Sequence, residues 1–115
     1  MPREYVLVTT RPIELDTVLA LVREYDPALT SRGILEGWVV QFVDADQVPV
    51  LTLESSRRLD VTEQAERIVG TLPADGPLWW SEATAPWGSY GDPGARLIRH
   101  LGEALGARLL AEEGE

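Results

Sequence analysis

Two adjacent tryptophans, Trp79 and Trp80, constrain the fold of this chain more than any other feature of its sequence. They lie in the segment 78–85, whose composition and flanking turn residues predict a β-strand. Neighbouring residues of a strand point to opposite faces of a sheet, so the two indoles cannot enter the same core. One indole is therefore expected to face a helix layer, and the other to face the opposite side of the sheet.

Hydrophobic periodicity along the chain predicts the element order β-α-β-β-α-β-α. Strands are predicted over 4–10, 34–43, 48–55 and 78–85, and helices over 12–25, 61–70 and 93–111. With right-handed crossovers and a central hairpin, this order is that of an α+β fold, a ferredoxin-like βαββαβ sandwich with an additional C-terminal helix. The last strand would then lie at an edge of the sheet, beside the first. We expect one domain over 1–111 and an acidic tail over 112–115.

The charge of the chain favours some classes of partner and disfavours others. Its 19 Asp and Glu residues exceed its 10 basic residues, all of them arginine, and the formal net charge is −9. Nucleic-acid binding and anionic membranes are disfavoured because both require a basic surface. A basic protein is the partner that such a field would attract, and the alternative explanation of the charge is plain solubility. Without cysteine, an apolar signal segment or a membrane-spanning run, the chain is expected to be cytoplasmic.

Aromatic residues continue beyond the tryptophan pair into a loop rich in proline and glycine. Trp87 and Tyr90 lie there, where an aromatic ring has less reason to join a core. Tryptophan and tyrosine are enriched at binding hot spots, so the segment predicts a partner-binding surface. Its candidate residues are Trp79, Trp80, Glu82, Trp87, Tyr90 and Asp92. The alternative is that the C-terminal helix folds back over the open face of the sheet and covers the indole there, while Trp87 and Tyr90 pack over the sheet edge as a lid.

No residue pattern indicates catalysis, a cofactor or a metal. His100 is the sole histidine, and without cysteine a zinc site would need carboxylates to complete it. The glycine-rich segment 88–94 lacks both the dinucleotide-binding spacing and the P-loop lysine. Asp92 is instead predicted to be a helix N-cap that precedes a proline. Glu82 shares the strand face of Trp80, so it is either an acid–base group with a raised pKa or a charge that protects an edge strand.

Two functions follow from these features. The first is a small acidic, non-catalytic protein-binding module, of the kind represented by immunity proteins, antitoxins and dedicated chaperones. The second is a homodimeric ferredoxin-like protein that binds an apolar small molecule, as a cofactor-free oxygenase, a lyase or a carrier would. Its pocket would be lined by Trp38, Trp80, Glu82 and His100. A role as a subunit of a larger complex is also compatible with the sequence.

Overall fold

An antiparallel sheet forms the centre of the fold. The computed structural model describes residues 2–35, 38–59 and 78–111. Seven strands occur in these ranges: β1 (Arg3–Thr9), β2 (Thr30–Leu35), β3 (Val39–Val43), β4 (Pro49–Glu54), β5 (Arg57–Leu59), β6 (Leu78–Ala85) and β7 (Arg108–Ala111). Their order across the sheet is β2-β3-β4-β6-β1-β7. The short strand β5 continues the path of β4 and pairs with the first half of β6.

Two α-helices among the described residues pack on one face of this sheet. They are α1 (Leu15–Tyr25) and α2 (Asp92–Ala104), and they contact each other. Each carries apolar residues at helical spacing, such as Val18 and Val22 on α1, which are buried. With the inward residues of β1, β3, β4 and β6 they form the main core, which includes Leu7, Phe42, Leu51, Leu53, Leu97, Ile98 and Leu101. Neither helix has the length and apolar character needed to cross a bilayer.

The α+β class predicted from the sequence is confirmed, but the ferredoxin-like strand order is not observed. The tryptophan-containing strand β6 lies in the middle of the sheet, between β1 and the β4–β5 pair, and not at an edge. It pairs with β1 over seven residues, from Arg3 opposite Ala85 to Thr9 opposite Trp79. The prediction of an edge position was therefore wrong, and Glu82 cannot protect a sheet edge.

Two predicted elements have different bounds in the structure. The single strand expected over 34–43 is replaced by the antiparallel pair β2 and β3, with Trp38 at a φ of 50° just before β3. The final helix ends at Ala104, and the residues predicted to extend it to 111 form β7 beside β1. Gly106 causes this end, because its φ of 64° suits the left-handed position that follows many helices. The helix predicted over 61–70 and the acidic tail lie outside the described residues.

A second, smaller apolar cluster lies on the face of the sheet opposite the two helices. Val6, Val8 and Leu78 are buried there, and Trp80 and Leu110 pack against them. The C-terminal helix predicted as a cover for this face lies instead beside α1, on the other face. The sheet is therefore apolar on both sides around β1 and β6, as the adjacent tryptophans require.

Candidate functional site

The residues predicted to bind a partner form two groups that are separated along β6. Trp79, Trp80 and Glu82 lie within the strand, whereas Trp87 and Tyr90 follow its end at Ala85. Since a strand rises about 3.3 Å per residue, Trp80 is about 17 Å from that end. Asp92 belongs to the second group, at the start of α2. The six residues therefore do not form one continuous patch on the strand.

The adjacent indoles contribute to different faces of the sheet. Alternation along β6 places Trp79 on the side of the buried residues Ser81 and Ala83, which face the helices. Trp80 lies on the other side and packs against Val6, Val8 and Leu78. Both indoles are half-buried. Neither ring is sealed, and Trp80 has a packing role that an exposed recognition residue would not have.

Trp87 and Tyr90 are the most exposed large apolar side chains among the described residues. Trp87 is 66% exposed and Tyr90 is 79% exposed. A single turn of 3-10 helix, Gly88–Gly91, holds them, and it begins directly after Trp87. We call residues 86–91 the aromatic turn. Its two rings present most of their surface to solvent, which is uncommon for side chains of this size.

Close backbone packing fixes the aromatic turn against the sheet. A Cβ atom on Gly91 would lie 2.0 Å from the carbonyl oxygen of Pro86, and one on Gly94 would lie 2.2 Å from that of Val50. Arg3 also donates a hydrogen bond to Asp92, with Nη2 2.9 Å from Oδ1. Asp92 is thus an ion-pair partner in the first turn of α2 and not the predicted N-cap, which is Gly91. The contact between Gly91 and Pro86 closes the turn on itself, whereas the other contacts hold its C-terminal end and the start of α2 against β1 and β4.

One further exposed apolar residue, which was not predicted from the sequence, lies at the end of the sheet that carries the aromatic turn. Val48 is 49% exposed and lies two residues before Val50, whose carbonyl group touches Gly94. It follows the turn that contains Asp44 and Asp46, and the Asp44 carboxylate accepts hydrogen bonds from the backbone N–H groups of Asp46 and Val48. Local sequence gives no signal for this residue, because β-branched valine is equally compatible with a buried strand.

Carboxylates cluster beside Trp80 on the face opposite the helices. β4 and β6 pair at Thr52–Thr84 and Leu53–Ala83. The same register, extended by one residue, places Glu54 next to Glu82. Glu4, Glu54 and Glu82 line a cleft of about 180 Å³. Arg57 lies 3.8 Å from Glu54 (Nη2 to Oε1) and only partly balances the negative charge. Burial raises the pKa of Glu82, and the hydrogen bond and the charge of Glu54 raise it further.

Replacing Glu82 with glutamine is expected to stabilise the fold near neutral pH. A raised folded-state pKa favours folding where the carboxyl is protonated, and this contribution is lost as the pH rises through that pKa. Like charges on facing strand positions cost up to about 1 kcal/mol, so Glu82→Gln should gain a similar amount at about pH 7. At about pH 3 the two proteins should differ little. Denaturant unfolding at both pH values measures the difference.

Glu103→Gln is the matched control for this prediction, because Glu103 is exposed on α2, which packs on the face of the sheet opposite the carboxylates. It should change the free energy of unfolding by only a few tenths of a kcal/mol at either pH. A Glu82→Gln protein that is less stable than the wild type at about pH 7 would contradict the electrostatic account. It would show that the folded protein stabilises the ionised form of Glu82.

The four residues of the alternative ligand pocket are divided between the two faces of the sheet. Trp80 and Glu82 lie on the face without helices, whereas Trp38 packs against the main core. His100 lies on α2, with its ring centroid 4.8 Å from that of Tyr25 at the end of α1. No group of three His, Asp or Glu side chains in the described ranges is arranged to hold a metal ion. One cavity within a single chain therefore cannot contain all four residues.

Comparison with known proteins gives no family: no protein-family model, no curated protein and no solved structure matches the chain significantly.

Proposed function

We propose that this protein is a small, acidic, non-catalytic binding module that contacts a protein partner through the aromatic turn. The observation that carries the proposal is the exposure of Trp87 and Tyr90, at 66% and 79%, within four residues of each other. Tryptophan and tyrosine dominate binding hot spots because they bury a large area while ordering few rotatable bonds. Val48, at the same end of the sheet, would enlarge the apolar contact.

Rigid presentation of the two rings supports the same function. The close contacts of Gly91 and Gly94 with the backbone, and the bond between Arg3 and Asp92, leave the turn little freedom to move as a unit. A partner would then bind a surface that is already in its bound backbone conformation. Such preorganisation reduces the entropy that is lost on association, so a small patch can still support specific binding.

The charge of the chain supports a basic partner. A net charge of −9 would steer such a protein toward the surface and raise the association rate. Asp92 and the acidic turn that contains Asp44 and Asp46 lie at the same end of the sheet as the two rings and would form an acidic rim. Immunity proteins, antitoxins and dedicated chaperones are the classes that the small size and acidity of the chain suggest. A cytoplasmic location stays a prediction from the sequence.

The group within β6 would have a secondary role in this proposal. Trp79, Trp80 and Glu82 are half-buried, so their substitution would disturb the fold as well as a partner. The ligand-binding alternative has less support, because its residues are divided between the two faces. It would require a symmetric dimer that encloses a cavity, which a mass measurement in solution and a dimer structure would detect.

Replacing Trp87 with alanine is expected to leave stability almost unchanged and to weaken partner capture strongly. A ring that is 66% exposed contributes little buried area, so we expect a change in unfolding free energy within about 0.5 kcal/mol. A hot-spot truncation costs about 2 kcal/mol or more of binding energy, which corresponds to a roughly 30-fold loss of affinity. Immobilised wild-type and variant proteins are compared for quantitative capture of the same protein from cell extract.

Trp87→Phe is the matched control, because it keeps an aromatic ring and should retain part of the capture. Tyr90→Ala should reduce capture in the same direction. Capture should also weaken as salt is raised, since exposed charges are screened over about 8 Å at physiological ionic strength. Capture that is equal for the wild type and both alanine variants would overturn the proposed surface. A melting temperature that falls by many degrees in Trp87→Ala would show that the ring belongs to the core.

A further inference from the structure

The outer edge of β2 is unpaired in the part of the chain that the structure describes. β2 is the last strand on its side of the sheet, and its other edge pairs with β3. Residues Thr30 to Gly33 are all exposed. The backbone N–H and C=O groups along this edge therefore have no strand partner among the described residues. Such an edge is a template for one further strand.

An open groove runs alongside this edge, between β2 and the C-terminal half of α1. It has a volume of about 520 Å³, and its apolar lining consists of Leu19, Val22, Pro27, Leu29 and Phe42. The helix does not cover β2, because a Cβ atom on Gly33 would meet no atom within 4 Å. A strand added to β2 would point every second side chain into the space above this lining.

A second copy of this chain does not fit the groove through its own β2. In a self-paired edge, the β2 residues on the helix side would be Ser31 and Gly33, the partners of Phe42 and Val40. Ser31 has only a small side chain and Gly33 has none, so they would leave a groove of about 520 Å³ largely unfilled. The occupant must instead be a different segment with larger apolar side chains at alternate positions.

Arg23 supplies the one cation that lines the groove. It lies in the last turn of α1, is exposed, and makes no ion pair with any residue that the structure describes. The short connection 26–29 places this end of α1 near the start of β2. A strand that runs antiparallel to β2 would end at that point. The C-terminal carboxylate of that strand could then contact the Arg23 guanidinium. No further side chain of the peptide would lose conformational entropy in making this contact.

From this geometry we infer a peptide-binding site distinct from the aromatic turn. It takes the C-terminal segment of a partner protein as an extended strand antiparallel to β2, with alternate apolar side chains in the groove and the terminal carboxylate at Arg23. The backbone edge provides most of the affinity, the groove selects apolar residues, and Arg23 selects a free C-terminus. Two strands, β3 and β4, separate β2 from β6, which precedes the aromatic turn.

The test begins with a library of random peptides of about eight residues, displayed with free carboxyl termini and selected on the wild-type protein. The strongest peptide is synthesised and its affinity is measured by fluorescence anisotropy. Methylation of single peptide N–H groups should weaken binding about tenfold or more at every second position, because an added strand donates to its neighbour alternately. Amide shifts of isotope-labelled protein should change at residues 30–33 and around the groove.

The carboxylate is tested by a double-mutant cycle. Amidating the peptide should weaken binding about fivefold to tenfold, and Arg23→Gln should do the same to the free acid. Combining both changes should cost no more than either alone, because they remove the same contact. Arg23 is exposed, so the variant should fold normally, which circular dichroism checks; Leu29→Arg, which blocks the groove, should weaken every peptide at least tenfold.

Trp87→Ala is the control that separates this site from the proposed partner surface, and it should leave the affinity for the peptide unchanged. A flat methylation profile, additive effects of amidation and Arg23→Gln, or shifts centred on residues 86–91 would each overturn the inference. A selection that enriches no peptide above a library screened on the Leu29→Arg protein would overturn it as well. If Trp87→Ala loses protein capture but keeps its affinity for the peptide, that loss bears only on the aromatic turn.

Discussion

Replacing Gly94 with alanine is expected to destabilise the protein by about 2 kcal/mol or more and to displace the aromatic turn. The added Cβ atom would lie 2.2 Å from the carbonyl oxygen of Val50 and 2.8 Å from the Cβ atom of Ala85. Overpacking of this kind costs about 1–3 kcal/mol, and here the obstacle is backbone that cannot rotate away. The better helix propensity of alanine returns only about 1 kcal/mol, so the steric term dominates.

The measurement is thermal and denaturant unfolding of Gly94→Ala beside the wild type. For a domain of this size, a loss of 2 kcal/mol corresponds to a fall in melting temperature of about 8–10 °C. Gly33→Ala is the matched control, because its Cβ atom would meet nothing within 4 Å. That variant should be neutral or slightly stabilised. A Gly94→Ala protein as stable as the wild type would mean that α2 and β4 approach less closely than the structure has them.

A displaced helix start has a consequence for recognition. Gly94 lies three residues after the aromatic turn, and Asp92 lies between them with its hydrogen bond to Arg3. Moving α2 away from Val50 would strain that bond and shift Tyr90 relative to Trp87. Gly94→Ala should therefore weaken partner capture even where the protein is fully folded, because the preorganised arrangement of the rings is lost.

Local features of the fold were predictable from the sequence because they depend on neighbouring residues. The strand β1 follows from a run of β-branched residues. The end of α1 before Asp26-Pro27 follows from the proline. The opposite directions of Trp79 and Trp80 follow from strand geometry alone. The exposure of Trp87 and Tyr90 agrees with their position in a loop rich in proline and glycine.

Long-range pairings were not predictable in the same way. Leu105 and Leu109 fit a helical stripe, but Gly106 at a φ of 64° ends the helix, and Leu109 joins a strand beside Leu7. The position of β6 within the sheet depends on its pairing with β1, which is distant in sequence. Local periodicity carries no information on such pairings, so a β-α-β-β order admitted several topologies.

The same limitation explains why the candidate site changed composition. Asp92 was expected to cap α2, but the structure places Arg3 within 2.9 Å of it because β1 and β6 pair in antiparallel register. The groove beside β2 had no sequence signal, since residues 30–33 have the composition of a loop. Only the arrangement of Phe42, Leu29 and α1 around that strand makes the segment a possible edge for a peptide.

Replacing Leu97 with alanine is expected to have the largest effect on stability, a loss of about 3 kcal/mol. Leu97 lies on α2, is 0% exposed and belongs to the main core between the helices and the sheet. Leucine-to-alanine substitutions in cores cost about 2–5 kcal/mol, from the lost transfer energy and the cavity that remains. A site between two packed layers can relax only partly, so we expect a loss of stability well above the lower end of this range.

This variant also separates stability from recognition when it is compared with Trp87→Ala. Truncating the tryptophan removes more atoms than truncating Leu97, yet we expect almost no loss of stability from it. Under conditions where Leu97→Ala is folded, its capture of a partner should equal that of the wild type, because its side chain is 0% exposed and cannot touch another protein. Denaturant unfolding measures the stability of each variant, and capture by the same protein samples measures recognition of the partner. If Leu97→Ala lost capture while folded and Trp87→Ala kept it, the partner would bind a surface that depends on the core arrangement, and the aromatic turn would not be that surface.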